Sequence, residues 1–170
     1  MNAARYPVYL QPVVIREQSA EGRAATRRVR RLLSRAELLC HLDAVGDLAP
    51  RAPLSFLVVR VSSLETIEAG RGEVGVRFIE RAVGEALGDL CRGTDIAGEL
   101  GRGTFGVILQ GAGAMAAAAS AARFTHHLNR LAFLPPACSV VVGTATGTGI
   151  HGRRLAGAAM ESLDAGYAGG

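Results

Sequence analysis

Arg92 and Asp95 stand just upstream of a glycine-rich stretch, Gly101-Arg102-Gly103-Thr104-Phe105. Arginine carries a planar fork of donors that binds an acceptor edge bidentately or stacks on a flat ring. An ionised aspartate only accepts. The glycines continue as Gly101-x-Gly103-x-x-Gly106-Val107, a literal match to the loop that covers phosphates in protein kinases. The chemistry refuses that match. A kinase needs a strand lysine, and all 19 basic residues of this chain are arginine. No His-Arg-Asp or Asp-Phe-Gly tripeptide occurs. A dinucleotide fold would need the glycines between a strand and a helix, whereas here they fall inside a hairpin pattern. They read as a β-turn, whose backbone N–H groups leave a minor route to holding a GTP phosphate.

Other chemistry-bearing residues are sparse. His126 and His127 are adjacent on a predicted helix, so they point in different directions and cannot serve one metal from that helix alone. His41 and His151 add no ligand spacing, and Met115 and Met160 read as core packing. Cys40, Cys91 and Cys138 form no Cys-x-x-Cys pair and are odd in number. They suit buried thiols of a reducing cytosol better than a disulfide framework or a zinc site. Arg23, Arg27, Arg28, Arg30, Arg31 and Arg35 form a basic stretch. No aromatic residue interleaves it, so it reads as a solvated helix face rather than a nucleic-acid surface.

These residues need a scaffold, and the bulk properties allow one. The chain has 170 residues, 49% of them apolar, and a net charge of +4. That suits one folded domain with a real core. No apolar run has the length of a membrane span, and the N-terminus lacks signal-peptide character. A cytoplasmic location is expected.

The pattern along the chain predicts an edge strand or extended arm over residues 1–16, because of its two prolines. A helix is expected over 26–46 from the spacing of Val29, Leu32, Leu33, Leu38, Leu39 and Leu42. Leu54 to Val61 is an apolar, β-branched run that reads as a central strand. A short helix over 63–69 ends at Gly70 and Gly72, and an amphipathic helix follows over 75–91. Residues 95–101 and 104–110 form a hairpin with Gly101-Arg102-Gly103 at its tip. An Ala-rich helix over about 113–132, a strand over 138–145 and a helix over 152–164 complete the order.

That order, together with Arg92-x-x-Asp95 five residues before the glycine turn, resembles the GGDEF (diguanylate cyclase) domain. The strand Ser139-Val-Val-Val-Gly143-Thr-Ala and the helix Ala158-Ala159-Met160-Glu161-Ser162-Leu163-Asp164-Ala165-Gly166 are similar to that family's later elements. The resemblance covers about residues 28–166. It implies an α/β (α+β) sandwich with a palm-like, mostly antiparallel sheet. Residues 1–25 are then an N-terminal arm, and 26–170 the domain.

The resemblance also implies lost catalysis. The family's pentapeptide Gly-Gly-Asp/Glu-Glu-Phe stands here as Gly101-Arg102-Gly103-Thr104-Phe105, without either acid. The family's metal-binding Asp corresponds to Arg60 and the next Asp to Ser62. Its guanine-contacting Asn and Asp correspond to Glu68 and Ala69, and of its lead-in motif at Arg27–Arg35 only Arg35 remains. Cyclising GTP needs carboxylate-held metal, so no metal, no cofactor and no cyclase activity are expected. Arg-x-x-Asp is the family's inhibitory site for its product, cyclic di-GMP. By resemblance Arg92 engages guanine O6 and N7, and Asp95 accepts from guanine N1 and N2. A further arginine completes that site eighteen residues after the Phe, a count that reaches Arg123, for which the packing of an Ala-rich helix gives no other reason. The expected function is therefore a cyclic di-GMP receptor, with Arg123 acting in the same or a second subunit. A homodimer or a partner regulatory protein would read it out. A nucleotide-free interaction module and a GTP-binding regulatory domain are the alternatives.

Overall fold

A computed structural model describes residues 31–167. The elements run α1 (Arg35–Leu48), β1 (Leu54–Val61), α2 (Leu64–Leu90), β2 (Ile96–Gly101), β3 (Thr104–Gln110), α3 (Ala114–Leu128), β4 (Val140–Gly147) and α4 (Gly152–Tyr167). The four strands form one sheet in the order β2-β3-β1-β4, with every neighbouring pair antiparallel. The arrangement is the α+β fold expected from the sequence.

The central position of β1 explains its composition. Successive side chains of a strand point to opposite faces. Leu57, Val59 and Val61 enter a core layer with α2 and α3, while Leu54, Phe56 and Val58 enter a second layer with α1 and α4. A strand covered on both faces has no use for polar alternation, hence an apolar run interrupted only by Ser55 and Arg60. Phe105 and Phe124 anchor the first layer and Phe56 the second, each essentially without solvent contact. The sheet is thus clamped between two helix pairs, and the hairpin β2–β3 lies at one side of it.

Several local expectations are corrected. Among the described residues the first helix begins at Arg35, and residues 31–34, expected to be helical, are not. Ser34 caps it, its hydroxyl accepting from the Glu37 N–H while the Glu37 carboxylate accepts from the Ser34 N–H at 2.8 Å. This capping box satisfies donors that a helix start leaves orphaned. Leu33 lies outside the helix and bridges Gly98 of β2 in parallel, with its N–H donating to Ala97 O at 3.0 Å and its carbonyl accepting from Glu99 N at 2.8 Å. The two helices expected at 63–69 and 75–91 are present and part at Gly72, whose φ of 64° and ψ of −173° are not helical, but they run on to either side of it so that together they span Leu64–Leu90. The third helix stops at Leu128. Met115 is exposed rather than in the core, because it sits on the first turn of α3. Met160 does pack against the second core layer. Of the cysteines, Cys138 is buried, Cys91 half-buried and Cys40 exposed on α1; all three are free. The expected arm over 1–25, the helix start at 26 and Arg23, Arg27, Arg28 and Arg30 of the basic stretch lie outside the described residues. Arg31 and Arg35 are exposed, and Arg31 approaches Glu37 at 3.7 Å. No helix among the described residues is long and apolar enough to cross a membrane.

Candidate functional site

The hairpin has two ends, and the sequence places a candidate site at each. Six residues of strand separate them, or about 20 Å at the rise of a β-strand.

At the base, α2 ends at Leu90 and the chain turns through Arg92-Gly93-Thr94-Asp95 into β2. Asp95 shapes this turn itself. Its Oδ2 accepts from the Arg92 backbone N–H at 2.7 Å, and its own N–H donates to the Arg92 carbonyl at 3.1 Å. Short polar side chains close turns in this way. Gln110 at the end of β3 braces the turn, its Nε2 donating to Thr94 O at 3.1 Å. Arg92 is exposed and Asp95 half-buried.

Arg123 comes to this place from α3. Its Nη1 donates to the Leu90 carbonyl at 2.8 Å, two residues before Arg92. The structure therefore brings Arg123 to the end of α2, two residues before the turn that holds Arg92 and Asp95. It also corrects the expectation that packing gives Arg123 no role. The last carbonyls of a helix are unsatisfied and carry partial negative charge. A guanidinium there joins α3 to the end of α2. Its other amino nitrogen, Nη2, is buried with no hydrogen-bond partner among the described residues. The guanidinium carbon lies 4.9 Å from the Phe124 ring centroid. A buried donor left unpaired is costly.

The tip is built differently. Gly103 has φ 60°, which a residue without Cβ adopts without strain. A Cβ there would lie 2.2 Å from Leu64 Cδ1, so the tip also needs glycine for space. Gly103 N–H donates to Glu80 Oε1 at 2.6 Å, and its carbonyl accepts from Val61 N at 2.8 Å. Arg102 reaches Glu68 at 2.7 Å and Glu73 at 3.8 Å. The hydrogen bond to Glu68 is the main reason its guanidinium is held even more firmly protonated than usual. Arg60, at the end of β1, pairs with Asp164 of α4 at 2.9 Å and touches Met160 Sδ at 3.1 Å. Ser62 bonds the Ser139 hydroxyl at 2.8 Å.

Between these groups lies a cleft of about 270 Å³, bordered by Arg60, Leu64, Glu65, Glu68, Arg102 and Thr104. Its charged groups are largely matched to one another within the protein. The N–H of Gly103, which the GTP-binding alternative would use for phosphate, is occupied by Glu80. No cluster of three or more His, Cys, Asp or Glu side chains among the described residues is placed to hold a metal ion. His126 and His127 are both exposed, with their rings edge to face at 5.5 Å.

Sequence reasoning missed Glu80, Glu73 and Asp164 as partners of the tip. The only signal for Glu80 was an acid next to buried Ile79 on an otherwise apolar helix stripe.

No protein-family model matches the sequence, and no curated protein matches it. Solved structures do match. The GGDEF domain of DgcB from Caulobacter crescentus, in complex with c-di-GMP, superposes with a TM-score of 0.76 at 17% identity, over 92% of this chain and 94% of that one. The FimX GGDEF domain from Pseudomonas aeruginosa gives 0.75 at 15% identity, over 86% and 96%. The active GGEEF domain of a diguanylate cyclase from Vibrio cholerae gives 0.74 at 16%, over 82% and 94%. At these identities the likeness is one of architecture, and the chain has the GGDEF-domain fold.

Proposed function

We propose that this chain is a cyclic di-GMP-binding regulator without cyclase activity, with Arg92, Asp95 and Arg123 as its ligand site. The observation that carries the reading is the meeting of Arg123 with the end of α2, two residues before Arg92. It joins residues 33 positions apart next to the Arg92–Asp95 turn, with a buried guanidinium nitrogen still lacking an acceptor among the described residues. A guanine base offers acceptors to arginine and donors to aspartate. The reading also draws on the solved complex of the DgcB GGDEF domain with c-di-GMP. The absence of cyclase activity is argued from the other end of the hairpin. By the family resemblance Arg60 and Thr104 correspond to the acids that catalysis would need, and a guanidinium repels a divalent cation.

Cyclic di-GMP binding then acts on a partner surface or on dimerisation, since a ligand shifts only an equilibrium whose states it binds unequally. The test is isothermal titration with cyclic di-GMP, with GTP plus Mg²⁺ in a parallel experiment assayed for product. Micromolar or tighter cyclic di-GMP binding, lost in Arg92→Ala, and no turnover of GTP are expected. Equal binding by Arg92→Ala and wild type would show that the site is wrongly placed. Product formation from GTP would overturn the inactive reading.

A second reading, a nucleotide-free interaction module, is favoured by Val74 and Phe78. These apolar residues lie one helical turn apart on α2 and are 81% and 56% exposed. In that reading cyclic di-GMP does not bind, and partner binding survives Arg92→Ala but not Phe78→Asp.

A further inference from the structure

The kink of α2 and the ion pairs of the hairpin tip belong together. Gly72 divides the helix into a short arm, Leu64–Arg71, and a long arm, Glu73–Leu90. The long arm is fixed to the sheet through buried Val76, Ile79, Val83 and Leu87. The short arm enters the core only with Leu64 and Ile67. It borders the cleft through Leu64, Glu65 and Glu68. Arg102 touches Glu68 on the short arm and Glu73 on the long arm, so a single side chain of the hairpin spans the kink.

The two attachments at the tip differ in kind. The bond from Gly103 N–H to Glu80 is short, partly buried and charge-assisted, and it ties the hairpin to the long arm. The Arg102 pairs are about half exposed, so salt screens them. The hairpin is thus anchored firmly to the long arm and weakly to the short one.

We propose that Leu64–Arg71 is a salt-released flap over the cleft, hinged at Gly72 and latched by Arg102. Opening it widens the cleft and uncovers the apolar side chains of Val61 and Leu64 beside Thr104. Gly72 supports such a hinge because it already adopts a conformation that L side chains rarely take, and a Cβ there would meet nothing within 4 Å. The flap is independent of the cyclic di-GMP site.

Amide hydrogen exchange read by mass spectrometry tests it on the full chain. In Arg102→Ala, exchange over residues 64–71 speeds up roughly threefold to tenfold, the scale of two screened ion pairs, while residues 76–90 and the hairpin strands keep wild-type rates. One molar NaCl does the same to wild type and adds nothing to Arg102→Ala. Glu68→Gln, which loses the short-arm pair alone, reproduces most of the effect. Unchanged exchange over 64–71 in a folded Arg102→Ala protein would overturn the latch. Equal acceleration over all of 64–90 would overturn the hinge, because the whole helix would then be opening.

Discussion

The two ends of the β2–β3 hairpin carry similar residue types and use them in opposite ways. At the tip, Arg102 is matched by Glu68 and Glu73, and the Gly103 N–H by Glu80. At the base, Asp95 closes its own turn, Arg123 joins two helices, and one buried guanidinium nitrogen has no hydrogen-bond partner among the described residues. Charges neutralised inside a protein hold it together, while a buried donor left without an acceptor costs stability. The same hairpin thus presents a fully matched end and an end where one buried donor is unmatched among the described residues.

Mutations at the two ends should separate ligand binding from stability. Arg92→Ala gives the largest effect on binding. Losing one bidentate contact costs about 1–3 kcal/mol, a roughly tenfold to hundredfold weaker affinity for cyclic di-GMP by titration. The melting temperature should stay close to that of wild type. A large drop in melting temperature with unchanged affinity would invert the comparison. Gly103→Ala is the counterpart at the tip. A side chain at φ 60° costs about 1–2 kcal/mol, and the new Cβ presses on Leu64. The melting temperature should fall by roughly 3–8 °C in calorimetry, with ligand affinity intact.

Glu80→Ala sharpens the same contrast more mildly. It leaves the Gly103 N–H without its acceptor, at a cost of about 1 kcal/mol. Exchange of that one amide, read by NMR, should rise about fivefold while the Arg92 turn is unaffected. The smallest effect lies outside both ends. Hydrogen bonds from the Ser34 backbone, then from its side chain, hold the Glu37 carboxyl below its ordinary value of 4.5. A lowered carboxyl pKa stabilises the folded state above the unfolded pKa, and that contribution is lost as pH falls through the folded pKa. The first turn of α1 should fray below about pH 4.5, seen as faster exchange at residues 35–38. Glu37→Gln, which keeps an acceptor but does not titrate, should remove that pH dependence.

Much of the scaffold was legible because its signals are local. The apolar run of β1 follows from burial on both faces, and the hairpin from two short segments around a glycine pair. The start of α1 was misread because Leu32 and Leu33 continue a helical spacing by chance, while they serve the first core layer and the β2 edge. Ser34-x-x-Glu37 was the contrary signal, and it marks the true start. The glycines at 70 and 72 announced a break but not that the helix resumes at once. The candidate site was legible as a list of residues, Arg92, Asp95 and Arg123, but not as a geometry. The bond from Arg123 to Leu90 crosses 33 positions, and no periodicity encodes such a contact. The partners of the tip were hidden for the same reason, since Glu80 lies 23 positions from Gly103.

One feature at the far side of the sheet bears on how the molecule behaves in a crowd. β4 is an outer strand of eight residues without a charge or a proline, a surface that invites another chain to add a strand. Asn129 stands across its beginning. Its Oδ1 accepts from the Val140 N–H at 2.7 Å, and its Nδ2 donates to the Val140 carbonyl at 2.8 Å. A side-chain amide therefore plays the part of a neighbouring peptide unit and stops there. Further along, Ser162 of α4 meets the Thr144 N–H at 3.4 Å. At Val140 the side chain of Asn129 thus occupies the backbone groups that an incoming strand would need.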